Sequence, residues 1–276
     1  KNASYAGIDV AVFDAWSRAR DIPGWAMLGQ EKRAEKVKMT FPLGGGGVRS
    51  LKWLARVGRL LRFRDFKLKI GMSKDQERLA VVRKIIGDGA DLRVDANAAF
   101  SVEGAIAMAR ELRSYRVSSV EQPILAEDFS GLARVAKEGG IPVMADESLC
   151  SLSDARELLA KKAAALWNIR LAKVGGFSGY LEMVALANKA GVKIHQGSLV
   201  GETQVMTAAS RACLGSARVA HLEYGYPGLL LKRKLFRGGP GGNFGVAAPL
   251  GNQAGLGVEL DEGVLREVLV RSERFI

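Results

Sequence analysis

The sequence predicts an α/β fold, a closed TIM-type (β/α) barrel, on three observations. The chain has 276 residues, close to the roughly 250 that one such barrel needs. From about residue 37 onward, short β-type runs alternate with segments of helical period, as in parallel strands joined by crossover helices. Charged residues end many of these strands, where barrels carry their chemistry. A doubly wound open sheet would show a glycine-rich phosphate fingerprint after its first strand, and the glycines of residues 44–47 lack that spacing.

The pattern divides the chain into a leading helix (1–36), a barrel (37–240) and a C-terminal segment (241–276). Eight strands are predicted at 37–41, 66–70, 92–95, 118–121, 143–146, 166–171, 192–195 and 219–223. Helical segments between them include 74–86, 102–112, 152–159, 181–190 and 203–214. The leading segment is typical of an amphipathic helix whose apolar residues are Ile8, Val12, Phe13 and Trp16. The C-terminal segment predicts a short strand and a helix around Val258, Leu260, Val264, Leu265 and Val268.

Composition favours an ordinary globular protein, with 48% hydrophobic and 25% charged residues. No apolar run approaches the roughly 18 residues that a membrane span needs, and the N-terminus lacks the layout of a signal peptide. We therefore expect no membrane association and a cytoplasmic location. Cys150 and Cys213 form no CxxC pair and are interpreted as buried thiols.

The formal charge of +12 raises the hypothesis of nucleic-acid binding. The densest basic stretch runs from Arg49 to Lys69, but leucines and a valine alternate with its cations at helical spacing. This pattern is typical of an amphipathic helix with a solvated basic face, so we expect no nucleic-acid partner. The positive charge would instead attract an anionic substrate.

Three acidic residues end consecutive predicted strands: Asp95, Glu121 and Asp146. Strand parity points all three into the barrel, and neighbouring strands lie about 4.8 Å apart. The carboxylates should therefore converge at the open end of the barrel where the strands finish, called the mouth below. Three such anions need a compensating cation. Oxygen-only ligands favour Mg²⁺, with Mn²⁺ as a substitute, whereas His195 and His221 lack zinc-type spacing.

The same parity points Lys67 and Lys69 inward from the second predicted strand. A lysine must lose its proton to act as a base, and we expect the like charge of Lys67 to favour that loss at Lys69. On the sixth predicted strand, Arg170 faces inward and Lys173 lies in the loop beyond. Arginine keeps its proton and so serves as a fixed cation, not as a base.

Together these residues resemble the enolase superfamily, specifically the muconate lactonizing subgroup of the mandelate racemase/muconate lactonizing enzyme family. That subgroup includes muconate cycloisomerases, o-succinylbenzoate synthases, dipeptide epimerases and N-acylamino acid racemases. The matching pieces are Lys67-Leu68-Lys69, Val94-Asp95-Ala96-Asn97, Val120-Glu121-Gln122-Pro123, Asp146-Glu147-Ser148 and Gly175-Gly176. The resemblance implies that Asp95, Glu121 and Asp146 bind the metal and that Lys69 is the acid/base. The family's second catalytic lysine falls on Arg170, a departure that weakens two-base racemization.

The resemblance also implies an N-terminal α+β capping domain, which we expect to be missing from this chain. Segment 1–36 would then lead out of the cap, and segment 241–276 would return to it. Related enzymes are commonly homo-oligomers, which makes a homo-oligomer the expected assembly.

The implied reaction is removal of the α-proton of a small-molecule carboxylate by Lys69, giving an enolate stabilised by Mg²⁺. Cycloisomerization or β-elimination with one base is the preferred outcome. Racemization or epimerization of N-acyl amino acids or dipeptides is the alternative, and a metal-binding barrel without turnover is the non-enzymatic one. Four residues at the seventh and eighth strand ends are candidate substrate contacts: His195, Gln196, Ser198 and Glu223.

Overall fold

Eight parallel strands in chain order form the central sheet of the computed structural model, which describes residues 2–44, 46–225, 231–243 and 245–269. A short strand, β1 (Val37–Lys38), precedes them. The eight are β2 (Thr40–Leu43), β3 (Asp65–Lys69), β4 (Asp91–Asp95), β5 (Val120–Glu121), β6 (Val143–Ala145), β7 (Leu166–Ile169), β8 (Lys193–Gln196) and β9 (Val219–Leu222). A parallel bridge between Met39 and Leu222 links the two edges, so the sheet is a nearly closed barrel, as predicted.

The first predicted strand, 37–41, is divided between two sheets. Residues of β1 pair antiparallel with β12 (Val246–Ala247), and the amide of Met39 donates to Gly245 O at 2.8 Å. The barrel strand then begins at Thr40 and pairs with β3. The first residues of the predicted strand thus pair with the C-terminal segment, and the barrel strand begins a few residues later than predicted.

Helices follow the strands around the outside of the barrel. Their bounds are α1 (Asn2–Ala19), α2 (Gly24–Met27), α3 (Val48–Leu60), α4 (Asp75–Ile86), α5 (Val102–Leu112), α6 (Phe129–Glu138), α7 (Leu152–Ala160), α8 (Leu171–Val174), α9 (Phe177–Ala190), α10 (Gln204–Ala212) and α11 (Glu262–Val268). Side chains of Ser101, Asp128 and Ser151 accept amide hydrogen bonds at the starts of α5, α6 and α7. These caps fix where the crossover helices begin after their strands.

The hydrophobic core lies between the strands and the helices. Outward-facing residues such as Phe66, Leu68, Trp167 and Ile169 are fully buried there. Because side chains alternate along a strand, the intervening residues fill the barrel interior. The interior is therefore unusually polar, and it contains the buried residues Asp65, Lys67, Arg93, Asp95, Glu121, Asn168 and His195.

Helix α1 exposes most of the apolar face that the sequence predicts it to bury. Ile8, Val12 and Trp16 are 65%, 62% and 55% exposed. Small residues pack inward instead, and Asp9 accepts a hydrogen bond from the amide of Phe177 at 2.7 Å. This close approach requires glycine at position 176, where a Cβ atom would lie 2.3 Å from Asp9 Oδ2. The helix is thus oriented by its polar contact and by small residues.

The C-terminal segment contains the predicted strand and helix. Strand β10 (Phe236–Gly238) pairs antiparallel with β13 (Val258–Leu260), and β11 (Gly242–Asn243) pairs with β12. Helix α11 follows β13, and residues 270–276 lie outside the described residues. Cys213 is buried as expected, whereas Cys150 is only half-buried, because it lies in the loop before α7. Within the described parts of the chain, no helix has the length and apolar character needed to cross a membrane.

Candidate active site

The three predicted acidic residues lie together at the carboxyl ends of β4, β5 and β6. Asp95 and Glu121 are register partners on neighbouring strands, and Asp146 follows β6 directly. All three are buried, with exposures of 2%, 1% and 0%. In parallel barrels the carboxyl ends of the strands form the functional face. The predicted positions of these carboxylates at the strand ends are therefore confirmed, whereas their role as metal ligands stays a prediction.

Lys67 holds the carboxylates on one side of the mouth. Its Nζ lies 3.3 Å from Asp95 Oδ2 and 3.3 Å from Glu121 Oε2, and it contacts Glu223 Oε1. Burial favours the neutral amine, but Glu121, Glu223 and Asp95 outweigh it and raise the pKa of Lys67. Lys67 is therefore held as a cation by the three carboxylates, and its expected role as a like charge beside Lys69 stays a prediction.

Lys69 differs from Lys67, although the two residues face the same side of β3. Its side chain is exposed at the end of the strand, opposite Asp95 in the register. Among the described residues, no acidic group forms an ion pair with it. Lys69 is thus a basic group that can reach a bound molecule at the mouth.

Two cations hold Asp146 on the other side of the mouth. The Arg170 guanidinium contacts Asp146 Oδ2 and lies 3.8 Å from Glu121 Oε1. Lys173 donates to the backbone oxygen of Asp146 at 2.5 Å and also contacts its carboxylate. Lys173 was expected in a loop, but it lies in the short helix α8, which turns its ammonium toward the mouth.

The cluster remains short of positive charge. Burial raises the pKa of Asp146 to about 7 and that of Asp95 to about 6, and the neighbouring Glu121 charge adds to both shifts. Burial acts the same way on Glu121, but Lys67, His195 and Arg170 together outweigh it and lower the pKa of Glu121 to about 2. Two carboxyl groups thus hold protons more tightly than usual because the cations present do not compensate them.

Two side chains that the sequence analysis did not select as site residues support these acids. Gln122 Oε1 accepts from the amides of Asp146 at 3.1 Å and Ser148 at 3.0 Å, which fixes the turn after β6. Asn168 Nδ2 donates to Glu121 Oε1 at 2.7 Å. The inward parity of Asn168 and the position of Gln122 directly after Glu121 were the available signals.

The four candidate substrate contacts separate into two groups. Glu223 reaches the mouth and lies 3.5 Å from Nε2 of His195, which is fully buried beneath it. Ser198 is half-buried at the start of the loop after β8. Gln196 faces the helices instead: its amide accepts from the Tyr180 hydroxyl at 3.0 Å and donates to Ser210 Oγ at 2.6 Å. Strand parity places it opposite His195, so the structure does not bring Gln196 into the site.

A second polar group lies at the amino-terminal ends of β3 and β4, four residues upstream of the acidic mouth, or about 13 Å along the strand. Asp65, Asp91 and His221 each offer one ligand atom within 4.8 Å of the others, so this group could bind a divalent metal. Asp65 already accepts from Arg93 at 2.8 Å and contacts His221 Nδ1 at 2.7 Å. Within the described residues, the predicted ligands Asp95, Glu121 and Asp146 do not form such a group, because Lys67, Arg170 and Lys173 lie among their carboxylates.

A family model and the similar proteins of known function agree on one family for this chain. The model of the family "Enolase C-terminal domain-like" matches residues 51–264. The L-Ala-D/L-Glu epimerase of Bacillus subtilis is 29% identical over 85% of this chain and 64% of its own length. The chloromuconate cycloisomerase of Cupriavidus necator is 30% identical over 95% of this chain and 71% of its own length.

A solved relative is similar in structure as well. The dipeptide epimerase from Cytophaga hutchinsonii, in complex with Mg and the dipeptide D-Ala-L-Val, matches with a TM-score of 0.89 and 26% identity over 95% of this chain and 72% of that one. The chain spans less than two thirds of the Bacillus subtilis epimerase and somewhat more of the cycloisomerase. The relatives thus represent both reaction types that the sequence suggested.

Proposed function

The chain belongs to the enolase C-terminal domain-like family, and from that premise we propose that it is the catalytic barrel of an isomerase or lyase. Its reaction would begin with removal of the proton next to the carboxylate of a small-molecule substrate. The observation that carries the proposal is the contrast between two lysines on one strand. Three carboxylates hold Lys67 in its protonated form, whereas Lys69 is exposed and, among the described residues, interacts with Asp95 only beyond salt-bridge distance.

Mg²⁺, or Mn²⁺ in its place, is the proposed cofactor, and Asp95, Glu121 and Asp146 are its proposed ligands. Their fit follows from donor chemistry and from charge: all are buried carboxylates, and two have pKa values raised to about 6 and about 7. Four carboxylates, including Glu223, face three cations here, Lys67, Arg170 and Lys173. A divalent ion bound here supplies positive charge that offsets the negative charge developing on the substrate.

Lys69 is the proposed general base. Its amine takes the α-proton, and its exposed position at the strand end gives it access to a substrate in the mouth. Lys67 and Arg170 stay protonated, and their positive charges stabilise negative charge on two sides of the acidic cluster. Arg170 does not return a proton at working pH, so this arrangement favours cycloisomerization or β-elimination with one base.

Epimerization of dipeptides or N-acyl amino acids is the second candidate. Lys173 favours it, because its ammonium reaches Asp146 from the side of the mouth opposite Lys69 and is only 13% exposed. Two-base chemistry would require Lys173 to deliver the second proton. The epimerases among the relatives support this candidate, and the cycloisomerase supports the first.

A deuterium-exchange experiment tests the proposal. The chain is incubated in D₂O with Mg²⁺ and a panel of dipeptides, N-acyl amino acids and lactones, and exchange of the α-proton is followed by NMR. We expect Lys69→Ala to lose about 10²- to 10⁴-fold in exchange rate, and Lys84→Ala, an exposed lysine of α4, to match the parent chain. Equal exchange by Lys69→Ala and the parent chain contradicts the assignment of the base.

The same experiment separates the candidate reactions. Label in both stereoisomers of one substrate indicates epimerization, whereas label in a ring-opened or eliminated product indicates the one-base reaction. Absence of exchange across the panel favours a metal-binding barrel without turnover. The homo-oligomeric state, the cytoplasmic location and the absence of a nucleic-acid partner stay predictions.

A further inference from the structure

Arg93 lies at the centre of the barrel interior, two residues before Asp95 on the same face of β4, and has 0% exposure. Its guanidinium Nη2 donates to Asp65 Oδ1 at 2.8 Å and to Thr40 Oγ1 at 2.5 Å. Its Nη1 lies 3.2 Å from His195 Nδ1. Arg93 therefore connects the lower part of the barrel with a histidine directly beneath the acidic mouth.

This contact determines which nitrogen of His195 carries the proton. Arginine has only donors, so Nδ1 of His195 must accept from Arg93. The proton of the neutral ring is then on Nε2, which is buried and 3.5 Å from Glu223 Oε1. Among the described residues, no group makes a hydrogen bond of ordinary geometry with His195 Nε2, and Glu223 Oε1 at 3.5 Å is the acceptor that faces it. Burial and the Arg93 charge also lower the pKa of His195 to about 4, in keeping with a neutral ring.

Glu223 passes the effect on to the mouth. Its Oε1 contacts Lys67 Nζ, which in turn lies 3.3 Å from both Asp95 and Glu121. If His195 carried its proton on Nδ1, the Nε2 lone pair would face the Glu223 carboxylate and repel it. Only the Nε2–H form lets His195 hold Glu223 against Lys67.

We propose that Arg93 is a positioning residue: it locks His195 in the Nε2–H tautomer, and His195 then aligns the Glu223 carboxylate that holds Lys67 at the mouth. The catalytic consequence rests on the proposed function, but the tautomer does not. The other histidine makes the opposite contact, because His221 Nδ1 lies 2.7 Å from Asp65 Oδ2, and a carboxylate can only accept. The structure therefore requires the proton on Nδ1 of His221 and off Nδ1 of His195.

Two histidines in the whole chain make the tautomers directly measurable. Protein labelled with ¹⁵N-histidine gives two imidazole patterns in long-range ¹H–¹⁵N spectra at pH 7, and His221→Asn assigns them. We expect His195 to be neutral with its proton on Nε2, and His221 to carry a proton on Nδ1. A proton on Nδ1 of His195, in either a neutral or a doubly protonated ring, overturns the proposal without any variant having to fold.

Two variants test the positioning role. In His195→Gln an amide N–H can replace Nε2–H, whereas His195→Leu offers no donor. We expect the glutamine variant to retain kcat within about 10-fold and the leucine variant to lose about 10-fold more, with KM changed less than kcat. Equal kcat in the two variants overturns the positioning role and leaves the proposed function intact. Absence of α-proton exchange in the parent chain contradicts the proposed function but leaves the tautomer result standing.

Discussion

Replacing Lys67 with methionine tests the electrostatic account of the mouth. Methionine keeps the length of the apolar stem but removes the charge, so the packing around β3 changes little. The lost ammonium contacts the buried carboxylates of Asp95 and Glu121 and the partly buried carboxylate of Glu223, and the Lys67 side chain is 9% exposed. Removing one partner of a buried ion pair typically costs about 3–5 kcal/mol, because the other charge is left uncompensated. We expect a loss in this range at pH 7 without Mg²⁺.

The expected loss of stability depends on pH, because protonation of Asp95 removes one of the uncompensated charges. The pKa of Asp95 is already about 6, so taking up its proton at pH 7 costs only about 1.4 kcal/mol. At pH 5 that carboxyl is protonated, and we expect the destabilisation of Lys67→Met to shrink. Added Mg²⁺ should reduce it as well, since a ligand that binds the folded state stabilises that state.

Urea unfolding followed by circular dichroism at pH 7 and pH 5, with and without Mg²⁺, measures these effects. Lys69→Met is the matched control, because it removes an exposed lysine from the same face of the same strand. Surface substitutions of this kind usually change stability by less than about 0.5 kcal/mol. Equal losses in the two variants, or a Lys67→Met loss as large at pH 5 as at pH 7, would show that Lys67 does not stabilise the fold through these carboxylates.

Three further predictions concern single groups. Burial raises the pKa of Glu202 to about 7, so the stability that its protonated form contributes is present below about pH 4.5 and is lost as the pH rises to about 7. In urea unfolding, Glu202→Gln should therefore become more stable than the parent chain across that pH window. The exposed control Glu127→Gln should show no such gain. Asn168→Ala should lose about 1–3 kcal/mol in the same assay, because a buried carboxylate oxygen on β5 loses its donor; no loss would contradict this. Mg²⁺ affinity, measured by calorimetric titration, should fall between pH 8 and pH 5.5 as Asp146 and Asp95 take up protons; a constant affinity would contradict the assigned ligands.

Period and parity in the sequence predicted the barrel and most of its mouth. Residues two apart on a strand share a face, so strand parity alone predicts that Lys67, Lys69, Asp95 and Glu121 face the inside. The same rule would have identified Arg93, two residues before Asp95. The role of Arg93 was not predicted, because it depends on contacts with other strands, namely with His195 on β8 and Asp65 on β3.

Other features depended on contacts that no local pattern encodes. The salt bridge between Lys67 and Glu223 joins strands far apart in sequence. Whether the Gln196 side chain points into the barrel depends on which residues of β8 face the interior. A shift of one residue along the strand would reverse that direction. The packing of α1 could not be predicted from its apolar residues, because the contact between Asp9 and the backbone at Gly176 and Phe177 orients that helix.

The proposed function requires the metal to bind at the acidic end of the barrel. Binding of Mn²⁺, followed by electron paramagnetic resonance, can be compared in Glu121→Gln, at the centre of the acidic mouth, and in Asp91→Asn, in the polar group at the other end of the barrel. We expect Glu121→Gln to lose tight binding and Asp91→Asn to keep it. Binding that survives in Glu121→Gln but disappears in Asp91→Asn would contradict this expectation.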